Sequence, residues 1–82
     1  MEENKPITVK DLKGRMVHHL DLAESYISTY RDEDHGVTVS HNTHRKTMET
    51  TSIWTIDGDN TVYDNSIQIV EAYNKKHFPV NK

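Results

Sequence analysis

The chain has 82 residues, of which 33% are apolar and 28% charged, with a net charge of −3 when histidine is neutral. This length suits one small domain, and the small negative charge argues against a generic binder of phosphate backbones. The chain contains no cysteine and no long apolar run. These absences exclude a disulfide framework, a thiolate nucleophile and a membrane-spanning helix. The first residues lack the features of a secretion signal, and we expect a cytoplasmic protein.

A long amphipathic helix is predicted over residues 9–31. Thr8 and Asp11 have the spacing of a capping box, which marks the start of a helix. Apolar side chains then recur at heptad spacing, which places them along one face of a helix. They are Val9, Leu12, Met16, Ala23, Tyr26 and Tyr30, with Leu20 and Ile27 widening the stripe. The acidic residues 32–34 and Gly36 end the predicted helix.

Two or three short antiparallel strands are predicted in the middle of the chain, at residues 37–41, 53–56 and 61–63. The first alternates apolar and polar side chains with the period of a half-buried strand. The second is rich in β-branched and aromatic residues, which favour strands. A polar turn separates the last two strands, and its length predicts that Trp54 faces Tyr63 across a hairpin.

A short C-terminal helix is predicted after Asn65. This residue has a side chain suited to capping a helix, and Gln68 follows three residues later. The apolar face of the predicted helix consists of Ile67, Val70 and Tyr73. Pro79 ends the helix because the residue before a proline avoids helical backbone angles.

These elements together predict an α+β fold, in which a long N-terminal helix and a short C-terminal helix pack on a two- or three-stranded antiparallel sheet. Residues 7–78 form the single domain, and residues 1–6 and 79–82 form flexible tails. So few apolar side chains give a monomer little net stability. We therefore expect part of the helix stripe to be buried against a second copy or another protein.

The leading hypothesis is a non-enzymatic regulator or inhibitor that binds another protein, or itself, and occludes a surface. The candidate contact residues are Met16, Leu20, Tyr26, Tyr30, Trp54 and Tyr63. Large apolar and aromatic side chains of this kind anchor protein interfaces. The sequence has no cofactor fingerprint and no nucleophile–base pair, so neither a cofactor nor catalysis is expected. The composition resembles that of small accessory proteins made by phages.

Two alternatives use the histidine-rich middle of the chain. His41, His44, Arg45 and Lys46 form a short basic strip, which with nearby aromatic rings suits a single-stranded nucleic acid. His41 and His44, with His35 nearby, instead suit a zinc ion. Acidic segments flank the strip, and no cysteine completes the metal set, so both remain alternatives to protein binding.

Residues 55–64 resemble the first motif of the haloacid dehalogenase-like phosphatases, an apolar strand followed by Asp-x-Asp-x-Thr. The resemblance implies a magnesium-binding nucleophile at Asp57 and a general acid or base at Asp59. Too few residues follow Asp64 to supply the remaining ligands of that family. Aspartate, glycine and asparagine are also typical of tight turns, so we expect a turn here.

Overall fold

The structure, a computed structural model, describes residues 6–78, and four antiparallel strands form its sheet. The strands lie side by side in chain order: β1 (Arg15–Asp21), β2 (Ser25–Asp32), β3 (Val37–His44) and β4 (Thr50–Ile56). A single turn of 3-10 helix, Val9–Asp11, precedes the sheet, and an α-helix, α1 (Ser66–His77), follows it. Apart from Pro6, the predicted tails lie outside the described residues.

The long helix predicted over residues 9–31 is wrong, and the sheet has four strands instead of two or three. A helical turn does begin at the predicted place, where the backbone N–H of Thr8 donates to the carboxylate of Asp11 at 2.8 Å. It ends after one turn, because the backbone is already extended at Leu12, with φ −80° and ψ 126°. The rest of the predicted helix forms β1 and β2.

Residues 15–32 form a hairpin because their side chains suit the two faces of a sheet. β2 contains β-branched and aromatic residues such as Ile27, Thr29 and Tyr30, which lose rotamer freedom in a helix and pack well on a pleated surface. Tyr26 and Tyr30 are spaced by four residues, which fits one face of a helix and equally one face of a strand. The heptad pattern therefore gave the wrong period.

The turn between β1 and β2 lacks the usual sequence signals. Its central residues are Ala23 and Glu24, with no glycine or asparagine to favour a hairpin turn. Contacts from the β3–β4 loop hold it instead. The Arg45 N–H donates to the carbonyl of Glu24 at 2.9 Å, and its guanidinium donates to the carbonyl of Leu22 at 3.1 Å. Tertiary contacts thus stabilise a turn that local sequence does not specify.

The strand register divides the sheet into two faces, called here face A and face B. On face A, four cross-strand rows run from the helix end outward: Asp32–Val37–Ile56, Met16–Tyr30–Val39–Trp54, His19–Ser28–His41–Ser52 and Asp21–Tyr26–Thr43–Thr50. A β-bulge between Met16 and His18 keeps Met16 and His19 on the same face. Face B carries Leu20, Ile27 and Ile53 among many serine and threonine side chains.

The buried core occupies one end of face A. Its buried members are Val37, Ile56, Ile69 and Val70, against which Ile7, Leu12, Trp54, Tyr63, Ala72 and Tyr73 pack. α1 lies against β4 and the 3-10 helix. The side chain of Asn74 fixes the N-terminal segment by accepting from the N–H of Ile7 and donating to its carbonyl, both at 2.9 Å.

The molecule is elongated because the helix covers only that end of the sheet. Its extents are 50 × 25 × 21 Å, and its radius of gyration is 14.6 Å, against about 12 Å for a compact domain of this length. Along the described chain, no helix is long and apolar enough to cross a membrane.

The C-terminal helix is confirmed, including its cap. The side chain of Asn65 accepts a hydrogen bond from the N–H of Gln68 at 2.8 Å. The predicted apolar face is partly wrong. Ile67 is 64% exposed, whereas Ile69 is completely buried.

The predicted pairing of Trp54 with Tyr63 is also confirmed, by reciprocal backbone hydrogen bonds of 3.0 and 2.8 Å. Tyr63 makes only an isolated bridge, so residues 61–63 form no third hairpin strand.

Candidate functional site

A row of large side chains crosses face A beside the core. The row consists of Met16, Tyr30, Val39, Trp54 and Tyr63. All except Val39 are predicted partner-binding residues, and Tyr26 lies two rows away on the same face. The fold thus brings Met16 and Tyr63, which are far apart in the sequence, into one row.

The next row alternates histidine and serine. His19 bonds through Nδ1 to the hydroxyl of Ser28 at 2.9 Å, and His41 bonds through Nδ1 to the hydroxyl of Ser52 at 2.7 Å. Each pair joins neighbouring strands on face A. The hydrogen bonds fix the orientation of both imidazole rings.

The rings of face A contact one another across the rows. The ring of His41 meets Tyr30 and Trp54 edge-on, with centroids 5.9 and 6.4 Å apart. The guanidinium carbon of Arg45 lies 5.1 Å from the centroid of the Tyr26 ring, a cation–π contact. We call the side chains Met16, His19, Tyr26, Tyr30, His41 and Trp54 the aromatic surface. Its rings are held in place before any partner arrives.

Charged groups border this surface at its outer corner. Arg45 Nη2 lies 2.7 Å from Asp21 Oδ1, and His19 Nε2 lies 3.3 Å from Asp21 Oδ2. The hydrogen bond from Arg45 lowers the pKa of Asp21. An ionised carboxylate and a guanidinium therefore lie side by side at neutral pH.

A cavity of about 240 Å³ lies where the aromatic surface meets the core, lined by Val9, Leu12, Tyr30, Val39, Trp54 and Ser66 among others. Its walls come from the 3-10 helix, the sheet and the start of α1. Most of the lining is apolar. The cavity is therefore suited to an apolar side chain.

Asp32, at the helix end of face A, is a buried structural carboxylate. It is 4% exposed and accepts hydrogen bonds from the N–H of Lys13 at 2.9 Å, the N–H of His35 at 3.2 Å and the Nδ1 of His35 at 2.9 Å. Burial opposes its ionisation, but these hydrogen bonds outweigh burial and lower its pKa. Asp32 thereby ties the β2–β3 turn to the segment before β1.

Leu20 does not join the other predicted contact residues. It lies opposite Ile27 on face B and is 42% exposed. The helix stripe that grouped it with Met16 does not exist, so this grouping is wrong.

The basic strip predicted for nucleic acid is not gathered on one surface. His41 lies on face A, whereas His44 lies opposite Ser25 on face B. Arg45 is held by Asp21, and Lys46 lies in the exposed β3–β4 turn.

The structure does not bring together the three histidines of the zinc alternative. His35 bonds to Asp32, and His41 bonds to Ser52. Among residues 6–78, no group of three or more His, Asp or Glu side chains is placed to hold a metal ion.

The Asp-x-Asp motif forms a turn, as expected. The guanidinium of Arg31 donates to Asp57, with Nη1 and Oδ1 3.0 Å apart, and lowers the pKa of that carboxyl. Asp59 accepts from the N–H of Thr61 and the hydroxyl of Tyr63, both at 3.0 Å. These bonds lower the pKa of Asp59. Both carboxylates are thus engaged within the protein.

Sequence reasoning missed His19 as part of the aromatic surface and Arg45 as part of its charged border. The available signal was the period of two in β2, where Tyr26, Ser28 and Tyr30 share one face. If residues 26–30 form a strand, the preceding residues can pair with it as β1. His19 then lies opposite Ser28, on the same face as Tyr26 and Tyr30.

No protein-family model matches the chain, and no curated protein or solved structure is significantly similar to it.

Proposed function

We propose that the protein is a non-enzymatic regulator or inhibitor, which binds another protein through the aromatic surface and occludes the contact surface of that partner. The observation that supports this most is the row joining Met16, Tyr30, Trp54 and Tyr63 across the sheet. It gathers the candidate contact side chains in one row, which begins beside the core and ends at the exposed Met16.

The composition of the surface supports protein binding. Tyrosine, tryptophan, methionine and arginine are enriched in interface centres and in residues that dominate binding energy. Tyr26 and Tyr30 are half-buried, and Met16 is 51% exposed. Their remaining area is available to a partner without opening the core.

The rigidity of the surface supports tight association. His41 is bonded to Ser52 and lies edge-on to Tyr30 and Trp54, and these contacts restrict the rings before binding. Ordering flexible side chains is a major cost of association. Preordered rings avoid much of that cost.

The neighbouring cavity and charges support a specific orientation. The cavity beside Tyr30 and Trp54 suits an apolar anchor from the partner. Asp21 and Arg45 present opposite charges at the outer corner, which favour complementary charges on the partner. Together they favour one docking direction.

A capture experiment with the full chain tests this function. The protein, tagged at one end, is used to retain partners from a lysate of the cells that make it. We expect stoichiometric retention of a protein, with its affinity lowered at least about tenfold by Met16→Ala combined with Tyr26→Ala. These positions lie away from the buried core, so the fold is retained, as checked by circular dichroism.

The matched control is Ile27→Ala combined with Ile53→Ala, which removes apolar side chains from face B. We expect the control variant to bind like the parent. Equal retention by both variants contradicts the proposal. Retention of nucleic acid alone, with steep dependence on salt concentration, supports the basic-strip alternative instead.

A further inference from the structure

β1 is the most exposed element of the sheet. All seven of its residues are exposed. Large apolar side chains are concentrated along it and just after it: Met16 (51% exposed), Val17 (49%), Leu20 (42%) and Leu22 (46%). Tyr63 bridges to the outer edge of β4, whereas none of residues 6–78 pairs with the outer edge of β1. Such an edge is a template for pairing with another strand.

The register shows which backbone groups of β1 point outward. The N–H of Leu22 donates to the carbonyl of Ser25 at 2.8 Å, and the same register pairs Leu20 with Ile27. Hydrogen-bonded and non-hydrogen-bonded pairs alternate along an antiparallel ladder. Leu20 therefore bonds inward to β2, and the backbone groups of His19 and Asp21 point outward.

We infer that β1 pairs antiparallel with β1 of a second copy about a two-fold axis at Leu20. Leu20 then faces Leu20 of the second copy, and His19 faces Asp21 of the second copy. The outward backbone groups of His19 and Asp21 supply the hydrogen bonds. The two four-stranded sheets become one continuous sheet.

The side chains and the position of the bulge favour this register. Directly opposed residues share a face, so a shift by one residue places face A side chains against face B side chains. A shift by two in one direction opposes Asp21 with Asp21 of the second copy. A shift by two in the other direction places Asp21 opposite Val17, where the bulge interrupts the regular pairing. The register at Leu20 pairs each carboxylate with a histidine and places the two leucines in contact.

The bulge limits the pairing to residues 18–22. Val17 interrupts the regular alternation, because Met16 and His18 occupy successive positions opposite β2. A short regular segment is enough for a few backbone hydrogen bonds and one apolar contact at the axis. Val17, just before this segment, and Leu22, its last residue, add apolar area.

The inferred pairing does not rest on the proposed function. It leaves both aromatic surfaces exposed on the same side of the joined sheet.

A single introduced cysteine tests the register. The chain has no cysteine, so Leu20→Cys carries the only thiol. In a non-hydrogen-bonded pair the Cα atoms are about 4.5 Å apart, which is within the range of a disulfide. We expect the oxidised full chain to form a disulfide-linked dimer rapidly. The control is Ile53→Cys, which is 45% exposed, lies on face B and belongs to the other edge strand.

A charge at the axis tests the association itself. We expect sedimentation equilibrium of the parent to give the mass of a dimer, and Leu20→Lys to raise the dissociation constant at least about tenfold, because two like charges oppose each other. Ile53→Lys is expected to remain dimeric. A monomeric parent, equal cross-linking of the two cysteine variants, or disruption by Ile53→Lys but not Leu20→Lys overturns the inference.

Discussion

β3 and β1 are strands of one sheet with opposite environments. In β3 the face A side chains Val37, Val39 and Thr43 are buried, whereas every residue of β1 is exposed. β3 has a strand on each side and the core over its first residues. β1 has one neighbouring strand and no helix above it. Position in the fold, more than side-chain type, therefore decides which apolar residues stabilise the protein.

This difference suggests that one part of the sheet stabilises the fold and another part is free to bind other molecules. The end of the sheet near β3 and α1 contains the core, and disturbing it should unfold the chain. The residues of β1 are all exposed, so we expect this side to contribute less to folding, and we propose it as the side that meets other molecules. Substitutions at matched positions can therefore break or sharpen the comparison.

The largest effect is expected at Ile69, which is completely buried in the core. Ile69→Ala should lower the free energy of unfolding by about 2–5 kcal/mol, because it removes buried methylene groups and leaves a cavity. Urea denaturation followed by circular dichroism measures this change. The control Ile67→Ala, at a side chain 64% exposed, should change it by roughly 0.5 kcal/mol or less. Equal losses for the two variants contradict this account of the core.

The same substitution in the two strands compares them directly. Val37→Ala in β3 should cost about 1.5–3 kcal/mol of unfolding free energy, since Val37 is 3% exposed. Val17→Ala in β1 should cost roughly 0.5 kcal/mol or less, since Val17 is 49% exposed. Denaturant titration of both variants measures the difference. A costly Val17→Ala in a monomeric protein refutes the view that β1 adds little to stability.

Local signals predicted two features of the C-terminal half of the fold. Asn65 caps α1 as expected, and Trp54 pairs with Tyr63. In these places the residues that direct the structure are close in sequence. The N-terminal half failed because the turn at Ala23 and Glu24 depends on Arg45, a contact that no local pattern contains.

The candidate site was predicted in part, and for a reason that proved wrong. Met16 and Tyr30 were grouped by helical spacing, but the β1–β2 hairpin places them opposite each other. Leu20 was grouped with them and lies on the other face, because one face of a helix and one face of a strand select different residues. Residue type identified the interface candidates, and only the register assigned them to faces.

A smaller effect on stability is expected at Asp32, whose carboxylate joins the segment before β1 to the β2–β3 turn. Asp32→Asn should lower stability at pH 7 by about 1–3 kcal/mol, because an amide nitrogen replaces an oxygen that accepts backbone N–H bonds. The pKa of Asp32 is lower in the folded protein than its ordinary value of 3.8. Its contribution is therefore complete above that value and is lost as the pH falls through the folded-state pKa.

The measurement is the free energy of unfolding from pH 7 down to pH 3 for the parent and Asp32→Asn. The difference between the two proteins should shrink as the solution becomes acidic. Asp34→Asn is the control, since Asp34 lies exposed in the same turn. A constant difference across the range contradicts the assignment of the low pKa to Asp32.

The smallest effect is expected in the hydrogen exchange of individual backbone amides, which compares β1 with β3 residue by residue. β3 is paired on both sides, so its amides should exchange with solvent only through larger openings. In β1, the outward amides of His19 and Asp21 should exchange fast in dilute protein and more slowly as concentration rises, because pairing with a second copy protects them. Hydrogen exchange followed by NMR at two protein concentrations measures this. Leu20→Lys should remove the concentration dependence and leave the exchange of β3 unchanged. Slow exchange of the His19 amide at every concentration would instead show that its N–H is bonded within one chain.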